Sequence, residues 1–499
     1  MKINHNISAV VSNKHLLRTE DNLKASMERL SSGFKVNHAK DNPSGFAISN
    51  KMQSQINGLD RASQNSLDGT SVMEIADGAM GEIHAMLQRI RELAVQAGND
   101  TNTVEDKRSI QTEIEQIKSE ITRISETTEF NTKSLLDGSL NSQVYPNKEA
   151  DYVERIQVSD NVEPGKYSFK INNLGDPPSE TPGAGARADI PVSGLPVAND
   201  STGLYGKEGI LKINGVSCTL TKDMTNAEAY EMIRETAEIA GANIEKDDSD
   251  NYYITSQMYG SSARLEIVAT DLEGNDKDDL LIFGGCDVNP HPKDANGNKV
   301  HIGKGRDPQV TLVTEDPSAF KDHPNATVTY SGNDSGNIVT ITDINDFKIS
   351  FLLAGGGAAG DVTLDVTDKG PMDLQIGANE NQILSVKIPP TDAKSLYIDD
   401  LNVVEVGGSD RAIASVDAAI SRVSEIRSKI GAYSNRLEYA RASLDETSEN
   451  VTGALSRIKD SDMAKEMTEY TKDNVIAQAG TSALSQANEL PQMALQLLQ

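Results

Sequence analysis

The sequence predicts a mainly α-helical protein whose two ends form a long coiled-coil helix bundle, with a β-rich insertion that folds as an α+β outer domain. Three observations predict it. Apolar residues recur at helical spacing in narrow stripes at both ends. Between roughly residues 146 and 370 that period gives way to short alternating runs separated by Gly, Pro, Asn and Asp. Aromatic residues make up 4% of the chain and Trp is absent, so packing must rest on aliphatic side chains, as in long helix bundles.

From the N-terminus, Ile3, Ile7, Val10 and Leu17 fall on one helical face, and Leu23, Met27 and Leu30 continue the apolar pattern. Pro43 within Asp41–Gly45 punctuates this rod, because proline disfavours helix at the residue before it. Met73, Ala76, Met80, Ile83, Leu87, Ile90 and Ala94 then step by three and four. After a break at Gly98-Asn99-Asp100, Ile110, Ile114, Ile117, Ile121 and Ile124 do the same. Thr103 is the expected N-cap of that second helix, with Asp106 as the capping-box acid. In the middle, Tyr167–Ile171, Ile210–Leu220 and Thr327–Tyr330 read as strands, Asn226–Ala240 as a helix and Asp176–Gly183 as a linker. Leu374–Ile376 and Ile383–Ile388 lead back as strands. Val416, Val423, Ile430, Leu437, Leu444, Val451 and Ile458 then recur every seven residues, a coiled-coil seam roughly 65 Å long. Ile476, Ala483, Leu490 and Leu497 repeat that spacing at the end, where Pro491 is expected to kink or restart the helix.

The chain of 499 residues is long enough for two to four domains. A net charge of −28, with Lys and Arg spread along the chain, argues against nucleic acid and anionic membrane as partners. No stretch reaches the roughly 20 apolar residues of a membrane span, so no membrane insertion is expected. The first residues lack the apolar core of a secretory signal. Cys218 and Cys286 are compatible with either a disulfide or two buried thiols. The histidines, His5, His15, His38, His84, His291, His301 and His323, form no metal-ligand spacing. Gly355–Gly360 has no following Lys-Ser/Thr and reads as a loop, and acidic Asp271–Asp279 reads as a solvated turn rather than a Ca²⁺ loop. No enzyme and no cofactor are expected.

Several ordered motifs at both ends resemble bacterial flagellin. They are Met27–Gly33 (MERLSSG), Ala39–Gly45 (AKDNPSG), Leu87–Gln96 (LQRIRELAVQ), Glu129-Phe130-Asn131 and Leu135–Gly138. Further on come Leu374–Glu380 (LQIGANE), Gly431-Ala432, Asn435–Glu438, Ser461–Ala464 and Gln478–Leu484 with Gln486–Asn488. The match covers about the first 140 and last 125 residues. A hook-associated junction protein shares helical termini, but is not expected to keep both the Leu87–Gln96 and the Gln478–Leu484 motifs.

The resemblance implies a flagellar filament subunit that polymerises for motility. It implies an extracellular place in the bacterial flagellum, reached through the flagellar type III export system without a cleaved signal peptide. It divides the chain into an inner helical layer (D0, 1–43 and 456–499), a contact layer (D1, 44–145 and 371–455) and an outer insertion, 146–370. Within the insertion, about 205–270 resembles a small IN-type module. Some flagellins carry a metallopeptidase in the insertion, and this chain lacks its helix motif. Implied partners are further copies in a helical homopolymer, an export chaperone, the filament cap and the hook-filament junction proteins. Assembly is expected to use the apolar faces that hold Ile7, Val10, Leu17, Leu23, Met27, Leu30, Ile476, Ala483, Leu490 and Leu497. Arg89, Leu93 and Glu113 match flagellin positions recognised by Toll-like receptor 5, and Gln88, Ile90, Glu92 and Gln96 surround them. From chemistry alone, Arg89, Leu93 and Gln96 share a face beside the core stripe that reads as a solvated or subunit-packing surface, and it is the resemblance that favours recognition.

Overall fold

The architecture comes from a computed structural model. It describes residues 6–147, 150, 152–159, 161–172, 189–193, 205–246, 252–259, 263–273, 282–283, 299, 301–304, 307–315, 318–332, 336–344, 347–354, 360–367 and 369–496. Ile3, His5, the 176–183 linker, Cys286, His291, most of the 271–279 and 355–360 segments and Leu497 lie outside the described residues. Among the described residues there are six α-helices: α1 (Ile7–Ser32), α2 (Pro43–Ala97), α3 (Val104–Thr127), α4 (Asn226–Ile239), α5 (Gly408–Lys459) and α6 (Met463–Gln496).

Local chemistry sets their ends. The Asn6 side chain accepts the Ala9 amide at 3.1 Å to start α1. Gly33, at φ +77°, closes it by donating its N–H to the Arg29 carbonyl. Pro43 fills the first turn of α2, where its missing N–H goes unneeded, and Asn42 accepts the Gly45 amide at 3.0 Å. At α3, Thr103 Oγ1 accepts from the Asp106 amide (3.2 Å) and the Asp106 carboxylate from the Thr103 amide (3.0 Å), the expected capping box. α6 runs on past Pro491 instead of restarting there, since one missing amide donor does not by itself end a helix.

The chain divides into two compact units. The first comprises Met1–Thr70, Leu374–Leu384 and Asn435–Gln499. Here α2 and α5 run antiparallel, joined by Ser63–Asp445 (2.8 Å) and Asp60–Ser448 (3.1 Å) bonds, with Leu437 and Leu444 buried in the seam. Two α2 glycines face the segment 374–378. A Cβ on Gly58 would lie 3.1 Å from Ala378 Cβ, and one on Gly69 2.6 Å from Leu374 Cδ1. The LQIGANE motif therefore packs where α2 offers no side chain.

The second unit comprises Ser71–Asp373 and Ser385–Ser434. Its helical part pairs α2 with α5 through Asp77–Arg427 (2.8 Å) and Arg91–Asp417 (2.6 Å). Met73, Met80, Ile83, Leu87, Ile114, Ile121, Val416, Val423 and Ile430 are buried there. Its β part holds two cores. The first lies between two four-stranded antiparallel sheets. One orders Gln309–Leu312, Gly165–Asn172, Gly360–Val366 and Val144–Pro146; the other orders Thr327–Gly332, Gly336–Thr342, Lys348–Ala354 and Val153–Val158. Phe169 stacks on Phe351 between them, ring centroids 4.9 Å apart. The second core gathers Leu211, Ile213, Leu220, Ile233, Ile254 and Ile267 beneath α4.

Residues 210–220, expected as one strand, form a hairpin of Gly209–Ile213 and Val216–Leu220. Asn214 (φ +46°) and Gly215 (φ +88°) make a two-residue turn of the primed kind. The segment 399–406 ties these parts together. Lys118 Nζ donates to the Asp399 carbonyl (2.6 Å), Gln111 to that of Leu401 (2.7 Å) and the Val406 amide to that of Ile239 (3.0 Å). Arg155 grips the Asp399 carboxylate with two 2.7 Å bonds.

Candidate assembly and recognition surfaces

Helices α1 and α6 run antiparallel. Asn6 Nδ2 donates to the Ala487 carbonyl (2.8 Å) at one end and Arg29 reaches Glu466 (3.5 Å) near the other. Beyond them the Lys35 amide bonds the Lys459 carbonyl (2.8 Å) and the Ser461 amide that of Gly33 (2.9 Å). The α1 positions that lose solvent include Ala9, Ser12, Leu16, Thr19, Leu23, Ser26 and Leu30, stepping by three and four. On α6 the matching set is Glu466, Tyr470, Asp473, Ala477, Gly480, Leu484 and Ala487. These are two heptad stripes meeting in a seam where Leu16, Leu23, Leu30 and Leu484 interleave with small or polar side chains. A Cβ on Gly480 would sit 3.4 Å from Leu16 Cδ1, so the helices approach closely.

The larger apolar residues point elsewhere. Ile7 is 70% exposed, Val10 68% and Val475 60%, and Leu17, Met27, Met463, Met467 and Ile476 are exposed as well. Of the residues named for assembly, Leu23 and Leu30 are half-buried in the seam, whereas Ile7, Val10, Leu17, Met27, Ile476 and Ala483 face outward. Leu490 belongs to α6, but its side chain lies outside the described residues, as does Leu497. A search for apolar spacing reads only part of the inner seam, such as Leu23 and Leu30, because the intervening Ser and Thr, and Gly480 on α6, carry no hydrophobic signal. Small residues repeating in heptads on both helices are the cue.

On the α2–α3 face, Arg89 donates through Nε and Nη2 to Glu113 Oε1 (3.0 and 2.8 Å) and through Nη1 to Glu92 (3.3 Å). The bond from Glu113, then its charge, raises the Arg89 pKa and keeps the guanidinium protonated. Gln88, Arg89, Glu92 and Gln96 are exposed. Ile90 and Leu93 are not: they retain 0% and 2% of their accessible surface. The expectation that Leu93 shares the open face of Arg89 and Gln96 is therefore corrected. With α3 reached through Glu113 and α5 through Asp417, α2 has neighbours on two sides and buries a wider arc than one seam.

Paired terminal helices, with antiparallel sheets in the residues between them in sequence, define a mainly helical protein with a β-rich insertion. No helix among the described residues is long and apolar enough to cross a membrane. Residues 3–141 match the bacterial flagellin N-terminal helical region, and residues 413–498 the bacterial flagellin C-terminal helical region. A flagellin of Clostridium tyrobutyricum is 31% identical, over 99% of this chain and 100% of that one. Flagellin B of Vibrio anguillarum is 28% identical over 100% and 99%. Among solved structures, a flagellar hook associated protein-3 from Legionella pneumophila covers 82% of this chain and 98% of its own, at 13% identity and a TM-score of 0.29. The chain belongs to the bacterial flagellin family. It is a structural subunit of the extracellular flagellar filament, from a self-assembling family of structural proteins and not of enzymes.

Proposed function

We propose that the outward apolar faces of α1 and α6 are the contacts through which subunits polymerise, with residues 1–43 and 456–499 forming the inner layer. One observation supports this above others: outside the α1–α6 seam, Ile7, Val10, Leu17, Val475 and Ile476 are left exposed to water. Full burial of each such side chain is worth about 1.5–3 kcal/mol, a gain that a second copy supplies and the lone chain forgoes. In this reading 44–145 and 371–455 make the contact layer and 146–370 projects outward. An export chaperone covers the α6 face before assembly, the chain leaves through the type III channel without a cleaved signal, and cap and junction proteins meet the same helices. Removing residues after Ser461 is expected to leave a soluble chain that no longer polymerises, checked by sedimentation with filament seeds. Pelleting at the full-length level would overturn the assignment.

The Arg89–Glu113 face has a second proposed role as the surface Toll-like receptor 5 recognises in the monomer. The exposed polar residues Gln88, Arg89, Glu92 and Gln96 with Glu113 support it, while Ile90 and Leu93 act from beneath by holding the helix in place. Monomer is expected to bind the receptor ectodomain and cross-linked filament to fail. Equal binding by both would refute it.

A further inference from the structure

We infer that the cavity between the β-sandwich and α5 is a binding site for a small protonated oxoanion, with hydrogen phosphate as its type. The cavity, about 50 Å³, is lined by Gln157, Ser159, Lys348, Ser350, Arg422 and Lys429 among others. One water needs roughly 10–15 Å³ of such space, so a tetrahedral ion is within its capacity. Three cationic side chains meet here in a chain whose net charge is −28. One lining carboxylate, Glu425, faces them: Lys429 bonds it at 3.0 Å, and its charge also acts on Arg422 and Lys348.

Arg422 is the anomaly. Its Nε is buried with no hydrogen-bond partner, and burial pushes its pKa below the usual guanidinium value. The side chain as a whole keeps part of its exposure and has the Glu425 charge nearby, so the unmet need is that of the Nε–H. Gln157 has the opposite need. It is 4% exposed, and its Nε2 donates to the Ser395 carbonyl, which fixes the amide's orientation. Its Oε1 is left as a buried acceptor without a donor.

The site thus presents an Arg422 N–H lacking an acceptor and a neutral acceptor lacking a donor. Water can serve both atoms, but it leaves three lining cations facing one carboxylate. Chloride or fully ionised sulfate answers Arg422 and leaves the Gln157 oxygen facing an anion with no proton to offer. A phosphate that carries one P–OH at neutral pH meets both needs, donating to Gln157 and accepting from Arg422, with Lys348 adding charge at the mouth.

The test uses the full-length monomer and inorganic phosphate, with ionic strength held constant against chloride and sulfate. Calorimetric titration is expected to give one phosphate site, bound about tenfold or more tighter than sulfate, the scale of a lost charge-assisted bond. The melting temperature should rise with phosphate accordingly. Arg422→Met, which removes the desolvated charge and keeps the length, is expected to stay folded and lose phosphate affinity about tenfold or more. Gln157→Leu should narrow the gap between phosphate and sulfate. If Arg422→Met fails to fold, exposed Lys348→Gln supplies the same comparison with a smaller loss. Phosphate acting no differently from chloride, sulfate binding as tightly, or phosphate affinity unchanged in the cavity variants would each overturn the assignment.

Discussion

At the scale of single residues, close approach decides more than propensity. Alanine normally stabilises a helix interior by about 1 kcal/mol over glycine. At Gly69 the new Cβ would lie 2.6 Å from Leu374 Cδ1 and 3.1 Å from Cδ1 of fully buried Leu437. Overpacking of this kind costs about 1–3 kcal/mol, so Gly69→Ala is expected to lower stability in urea unfolding by up to about 2 kcal/mol. Gly78, where an added methyl would meet nothing within 4 Å, serves as the control, and Gly78→Ala should gain up to about 1 kcal/mol. The Arg89–Glu113 pair is about half exposed, and a double-mutant cycle on stability should return about 0.2–1 kcal/mol. Acid sensitivity follows from Asp106. The Thr103 hydroxyl, then its amide, holds the carboxyl below its ordinary 3.8, so the folded state binds fewer protons than the unfolded one. That contribution is complete above 3.8 and is lost as pH falls through the lower folded value. Asp106→Asn should flatten this part of the acid limb, read by amide exchange at the start of α3.

At the scale of elements, legibility depends on side-chain type and on distance along the chain. The α5 heptads are plain because Val, Ile and Leu fill one unbroken seam. The cap at Thr103 and the break before Pro43 are plain because both are local chemistry. The α1–α6 seam is half hidden, since Ser12, Thr19, Ser26 and Gly480, which lie between its leucines, look polar or neutral in any hydrophobic count. The hairpin at Asn214-Gly215 carries its signal openly, yet the alternation on either side of it mimics a continuous strand from 210 to 220. Sheet pairing has no such signal, because Gly165–Asn172 pairs with Gly360–Val366 across nearly the whole insertion. The burial of Leu93 escapes a single-stripe reading because a second packing partner widens the buried arc of α2. The same reasoning predicts the behaviour of α1 alone. Its buried set is Ser26, too little to hold an isolated helix of 26 residues. Deleting residues 462–499 should therefore remove more helical circular dichroism than the 34 residues of α6 account for. Loss limited to α6 would show that α1 stands without its partner.

At the scale of the whole molecule, a strongly acidic chain has to bring many copies of itself together. With a net charge of −28, like-charge repulsion opposes contact between copies, while the apolar faces of α1 and α6 favour it. Screening should tip this balance, so seeded growth is expected to accelerate as NaCl rises from low ionic strength, followed by light scattering. In the proposed reading the α1–α6 seam pairs the chain's own ends, and the exposed aliphatic faces are left for other chains. The most direct test is electron microscopy of seeded assembly with Val475→Asp/Ile476→Asp, two substitutions on the exposed face of α6. The account predicts a folded monomer with wild-type melting that adds no length to the seeds. Filaments of normal length and form would contradict it.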